Sequence, residues 1–311
     1  MKMTTLKSVA IAVGLCSSAF GQATSPVVGY TTENLQTGFN LFGVTLHSKP
    51  VASGTFESDL TDDDADFAAV LVDAEATYLL EVESGAQAGA VAEISGNTAT
   101  SLTAGGLVTG AAEYSIREAL TLEDVFGTSL TGSFNATAAD IVWIPDGLGG
   151  FNQYFYSTTG SQFRPTNAPF AVAEPVPVFY PDGMFVEVKS GSPSVTVSGD
   201  LKEGATAVSN MQGFNVAANP GPVGVTLGTI GLEATLTGSF NATAADIVWL
   251  PDGAGGFNQY FFNSTASVWR PTSSPFSGDS SEVVVPSAFF IERKTPGTTV
   301  VANTPSYYAG L

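Results

Sequence analysis

The sequence predicts an all-β protein of two homologous β-sandwich-like domains, the first carrying an inserted small β-barrel-like module. Three observations predict it. A block of twenty-five residues occurs twice, as Thr131–Phe155 (TGSFNATAADIVWIPDGLGGFNQYF) and Thr237–Phe261, differing only at Ile144/Leu250 and Leu148/Ala254. The spacing of 106 persists to Arg164-Pro165-Thr166 and Arg270-Pro271-Thr272, too long a period for a solenoid repeat, so it marks two copies of one folding unit. Secondly, Gly38-Phe39-Asn40 recurs as Gly213-Phe214-Asn215, but 93 residues before the block in the first copy and only 24 before it in the second. The 69 additional residues are too many for a structureless loop and imply a folded module. Thirdly, the chain is rich in Gly, Thr, Ser and Val and poor in Lys and Arg, as suits β-branched strands joined by turns. The division that follows is a signal peptide over 1–23, copy 1 over 24–202 with its module at about 50–113, and copy 2 over 203–311.

The elements follow in order. Lys2 and Lys7 precede the apolar run Ser8–Phe20, and small residues follow at Gly21 and Ala23, the pattern of a secretory leader. The run is too short to span a bilayer. Cys16, the one cysteine, follows Leu15 where a lipoprotein carries a small residue, so export without lipidation is expected. The mature chain then has no disulfide and relies on burial.

Strands are expected near Val27–Thr32 and Phe39–Leu46. Within the module they are expected at Phe67–Val72, Tyr78–Glu83, Val91–Ile94 and Thr98–Leu102, with Gly96-Asn97 turning the last pair. Thr121–Gly127 (TLEDVFG) reads as a short helix with Thr121 as N-cap, Asp124 completing a capping box and Gly127 as C-cap. Thr226–Gly231 reads as its degraded counterpart. Asp140–Ile144 and Phe151–Tyr156 form a hairpin around Pro145–Gly150, with Ile141 and Trp143 on one face and Val142 and Ile144 on the other. Apolar residues on both faces place it in the middle of a sandwich sheet or partly under a neighbour. Met184–Lys189 and Ser194–Ser198 close copy 1, and Phe289–Lys294 and Thr298–Ala302 close copy 2.

Ten basic residues stand against 29 acidic, a formal net charge of −19 that grows more negative once Lys2 and Lys7 are removed. Such a field repels phosphate backbones and anionic lipid surfaces, so no nucleic-acid partner is expected, and the shortness of the leader's apolar run means no transmembrane span is expected. The lone histidine, His47, is expected in a loop, and with no G-x-S-x-G elbow there is no triad. Zinc sites lack their His and Cys ligands. Paired carboxylates for glycoside hydrolysis are not legible among the 29. No cofactor is expected beyond the calcium that Asp62, Asp63, Asp64 and Asp66 could ligate; that run lacks an EF-hand's glycine and distal glutamate, and a solvated loop competes. Trp143 and Tyr154, with Trp249 and Tyr260, offer two sugar-stacking platforms, against the competing reading of cross-strand packing. Arg164 and Arg270 are expected to pair with a carboxylate or stack on Phe163 and Trp269.

The segments Tyr78–Asn97, Thr121–Gly127, Ala139–Ser157 and Phe289–Lys294 resemble a family of exported, uncharacterised β-rich proteins expanded in Verrucomicrobia. Gly213–Pro220 (GFNVAANP) is also similar to a strand opener of bacterial extracellular β-domains. The resemblance implies export and a β-rich fold, and transfers no catalytic residue. The function expected is a non-catalytic secreted or cell-envelope protein of structural, surface-coat or adhesive role, partnered by extracellular polysaccharide or envelope proteins. A carbohydrate-binding module is the alternative, and an exported hydrolase the third reading.

Overall fold

The two copies fold alike, strand for strand. The computed structural model describes residues 28–107, 110–171, 174–202, 204–221, 224–295 and 298–302, so the leader and the tail after Ala302 lie outside it. Copy 1 begins with β1 (Val28–Asn34) and β2 (Gly38–Phe42). The module follows as β3 (Pro50–Phe56), α1 (Phe67–Val70), β4 (Tyr78–Val82), β5 (Val91–Asn97), β6 (Leu102–Ala104) and β7 (Ala112–Glu118). Copy 1 resumes with α2 (Leu122–Phe126), β8 (Ile141–Pro145), β9 (Phe151–Ser157), β10 (Gln162–Pro165), β11 (Met184–Val188) and β12 (Ser194–Asp200). Copy 2 comprises β13 (Thr206–Asn210), β14 (Gly213–Ala218), β15 (Ile247–Pro251), β16 (Phe257–Asn263), β17 (Val268–Pro271), β18 (Ala288–Arg293) and β19 (Thr298–Ala302).

Each copy sets a five-stranded antiparallel sheet against a two-stranded ribbon. The sheet orders β2-β11-β8-β9-β10 and β14-β18-β15-β16-β17 are equivalent, as are the ribbons β1-β12 and β13-β19. The register is equivalent too. With spacings of 175 for the first strand and 105 for its partner, the pair Thr32↔Thr196 becomes Ala207↔Val301. The core of copy 1 fills the space between sheet and ribbon with Phe42, Val142, Val186, Val195 and Val197. Helix α2 plugs one end, its Val125 and Phe126 buried, and its capping box forms as the sequence specifies. In copy 2 the helix is reduced to a turn held by Thr226 and Thr229, then a single 3-10 turn at Leu232–Ala234.

The module is an open sheet of order β3-β7-β4-β5-β6, not a closed barrel. It curls until the chain leaving β3 reaches β6, where Leu102 N donates to Leu60 O. Two readings are corrected here. Phe67–Val72 is not a strand: Asp66 caps Ala69 N, and α1 buries only Phe67. Gly96 and Asn97 lie within β5, and the turn is made one step later, where Thr98 and Ser101 bond each other.

His47, expected in a loop, is buried at the junction of copy 1, the module and copy 2. Its Nε2 bonds Pro220 O at 3.0 Å, and its ring lies 4.4 Å from that of Tyr180. Beside it, Glu81 of β4 accepts from Arg117 (2.9 Å), Ser115 (2.9 Å) and Tyr180 (2.8 Å), with Lys202 at 3.9 Å. Burial raises the Glu81 carboxyl, but Lys202 and Arg117 outweigh it and hold it below the ordinary range. Burial pushes His47 down to about 4. The unfolded chain takes up a proton at His47 near its ordinary pKa of 6.5, and the folded protein only near 4. Stability therefore falls as pH drops through that window, by about 3 kcal/mol in all. His47→Gln, which retains a donor for Pro220 O, is expected to flatten urea-unfolding free energy between pH 6.5 and 4; an unchanged slope would assign the pH dependence elsewhere.

Candidate functional site

The duplicated hairpin is shaped by its turn. Asp146 Oδ1 accepts from Leu148 N and Gly150 N, each at 2.8 Å, and these bonds hold its carboxyl low. Gly147 and Gly149 take φ of 71° and 91°, which other residues resist. Asp252 repeats the arrangement with Ala254 N and Gly256 N. The turn sets the register, placing Trp143 opposite Gln153 and Pro145 opposite Phe151.

That register gathers aromatic rings on the outer face of the five-stranded sheet, away from the core. In copy 1, Phe39 meets Trp143 edge-on at 5.7 Å and Phe185 at 6.3 Å, and Phe151 meets Phe185 at 5.4 Å. In copy 2, Phe214 meets Trp249 at 5.3 Å and Phe290 at 6.2 Å, and Phe257 meets Phe290 at 5.3 Å. The quartets join where Phe185 touches its own equivalent, Phe290, at 5.7 Å. This contact marks a local two-fold relation between the copies. Gly43 and Gly183 allow the approach, since a Cβ on Gly43 would collide with the Ser287 backbone and one on Gly183 would crowd the Val216 side chain and Ala217 O. The band stays open to solvent: Phe39 and Phe214 are each 62 % exposed.

Beside the band, a groove of about 1050 Å³ separates β1 and β2 of copy 1 from the Pro251–Phe257 turn of copy 2. Aromatic rings of Phe39, Phe185, Phe257 and Phe290 share it with amide and hydroxyl groups such as Asn34, Asn40 and Thr32. Glu33 is its one carboxylate, raised by burial despite a bond from Ser287.

The sugar-stacking platforms are not assembled as expected. Tyr154 pairs with Val142 and Tyr260 with Val248, so both tyrosines face the cores while Trp143 and Trp249 face outward. Trp249 Nε1 donates to Glu292, and both indoles are half-buried under their neighbours. Arg164 and Arg270 donate to Pro169 O and Pro275 O, and the Asp279 carboxyl, held low mainly by Ser281, also feels the charge of Arg270. The four aspartates also diverge. Asp62 is buried and accepts from Tyr114 OH at 2.7 Å and from Asp64 N, Asp66 caps α1, and Asp63 and Asp64 face solvent. Among the described residues, no three His, Cys, Asp or Glu side chains converge as a metal site would require.

The residues that sequence reasoning missed are the phenylalanines, and a comparison of the copies finds them. Between β11 (MFVEV) and β18, the core-facing Met184, Val186 and Val188 become Phe289, Ile291 and Arg293. The outward Phe185 and Glu187 recur unchanged as Phe290 and Glu292. Between β2 and β14, core Phe42 becomes Ala217, whereas exposed Phe39 recurs as Phe214. The adjoining Asn40 and Asn215 have a backbone reason for retention, each clamping the loop before its strand. Phe134/Phe240 and Phe170/Phe276 are further exposed pairs.

No protein-family model, curated protein or solved structure matches the chain. No helix among the described residues is long and apolar enough to cross a membrane.

Asp62→Ala strands the Tyr114 hydroxyl in the module core and is expected to cost roughly 1.5–3 kcal/mol of stability. Thermal melts of both proteins in calcium and in EDTA check it. A destabilisation that appears only in calcium would reassign Asp62 to a cation.

Proposed function

We propose that the chain is a non-catalytic secreted or cell-envelope β-protein with a structural or adhesive role, whose adhesive surface is the paired aromatic face of its two five-stranded sheets. One observation carries this reading: between the copies the outward rings Phe39/Phe214 and Phe185/Phe290 are retained although core residues of the same strands are exchanged, Phe42 for Ala217, Met184 for Phe289 and Val186 for Ile291. Fold maintenance alone favours the reverse, since core positions are those where single methylenes are felt. An exposed aromatic band of this kind is what marks an interaction surface. The acidic charge, the export signature and the resemblance to exported β-rich proteins agree with a place outside the cytoplasm.

A carbohydrate-binding role is the second reading, favoured by the groove's mixture of rings with amide and hydroxyl groups. Adsorption of the purified chain to alkyl-coated and to cellulose- or chitin-coated sensor surfaces separates the two. The Phe39→Ser/Phe214→Ser double variant is expected to reduce adsorption at least tenfold while its melting temperature moves little. Retention of full adsorption by the variant would overturn the adhesive face. Adsorption confined to one polysaccharide would favour the second reading.

A further inference from the structure

Strand β1 has one edge bonded and one edge open. Leu35 N donates to Pro193 O, which sets the alternation along the ribbon: Thr31, Glu33 and Leu35 bond to β12. Tyr30, Thr32 and Asn34 therefore turn their main-chain N–H and C=O groups the other way. The 2.9 Å contact of Thr32 Oγ1 with Thr196 Oγ1 agrees, because side chains approach closest at non-hydrogen-bonded pairs. All eight residues from Tyr30 to Thr37 line the groove, as an edge-on strand does.

The equivalent edge in copy 2 is occupied. Ala207, which stands where Thr32 stands, donates its N–H to Gly89 O at 2.6 Å. Gly89 closes the β4–β5 turn, Ser84-Gly85-Ala86-Gln87-Ala88-Gly89-Ala90, with φ of 88°. A Cβ at Gly89 would stand 3.1 Å from Ala207 N, so the approach requires a minimal side chain. The module thus meets the β13 edge at Ala207 with a small, uncharged turn. Nothing among the described residues does the same for β1.

We propose that the open edge of β1 is a docking site for an uncharged polypeptide segment rich in glycine and alanine, which pairs its main chain with Tyr30, Thr32 and Asn34 and rests on Phe39 and Phe257. Strand addition of this kind draws affinity from main-chain bonds and specificity from side-chain pockets. The groove's lining carries one carboxylate and no Lys or Arg, which suits a neutral occupant. A peptide is favoured over a glycan because the same edge already receives a peptide turn in copy 2. The proposal rests on the adhesive reading, for which it names a partner class.

The test uses the full mature chain and the synthetic peptide SGAQAGA, in single and tandem form, titrated by NMR and calorimetry. Saturable binding is expected, with slowed hydrogen exchange at Tyr30, Thr32 and Asn34. Thr32→Pro removes the outward N–H and leaves the β12 ladder intact, as an edge position allows. It is expected to weaken binding at least tenfold, whereas Thr32→Ala stays within about threefold. Phe257→Ala, on the opposite wall and outside β1, is expected to weaken binding several-fold and covers the case that the proline variant folds poorly. No saturable binding, or equal binding by Thr32→Pro, overturns the proposal. So does occupation of the groove by cello- or chito-oligosaccharides with no response to peptide. Surface adsorption by the wild type in the same preparation keeps the adhesive reading intact, and its absence removes that reading separately.

Discussion

The Glu81 carboxylate is 2 % exposed, and its need for partners ties the molecule together. Arg117 and Ser115 come from the module, Tyr180 from the loop before β11, and Lys202 from the segment between the copies. His47 extends the cluster to Pro220 of copy 2. An unpaired buried charge is among the costliest defects a fold can hold, about 3–5 kcal/mol when one partner is lost. These groups are therefore satisfied only when module and both copies dock in one arrangement. That arrangement presses the β4–β5 turn onto β13, and with it decides which ribbon edge is covered and which is left open.

A second constraint is the local two-fold at Phe185 and Phe290. Small residues at Gly43 and Gly183 let strand ends of the two copies meet, and Ala218 N and Gly43 N bond to Pro181 O and Ser287 Oγ across the joint. The sheets consequently present their outer faces side by side. The inner faces have diverged in a compensating way: copy 2 loses Phe42 to Ala217 and gains bulk where Phe163 becomes Trp269 and Met184 becomes Phe289. Cores tolerate such exchanges when total volume is kept. No packing argument of that kind accounts for the retention of exposed Phe39 and Phe214.

Legibility in the sequence followed locality. Helix α2 was readable because its capping box and terminal glycine act within seven residues. The faces of β8 were readable because alternation is a property of one strand. Phe67–Val72 was misread because six consecutive apolar residues carry no period, and Asp66 capping tips the first four to a helical turn. Strands β3 and β7 were missed, since PVASGTF and AEYSIRE show little apolar alternation and owe their state to pairing with each other across some sixty residues. The Trp143–Tyr154 pairing failed because the face of β9 depends on the length of the Asp146 turn, which shifts the register by one residue.

The sequence by itself determined that there are two copies, that one is interrupted, and that each closes with the same strands, because repetition and strand alternation are written in adjacent residues. Only the tertiary structure decided that His47 is buried, that the outward phenylalanines merge into one band, and that β1 keeps an open edge. Those features depend on which residues far apart in the chain come to satisfy one another's charges, hydrogen bonds and apolar surface, and no single segment carries that information.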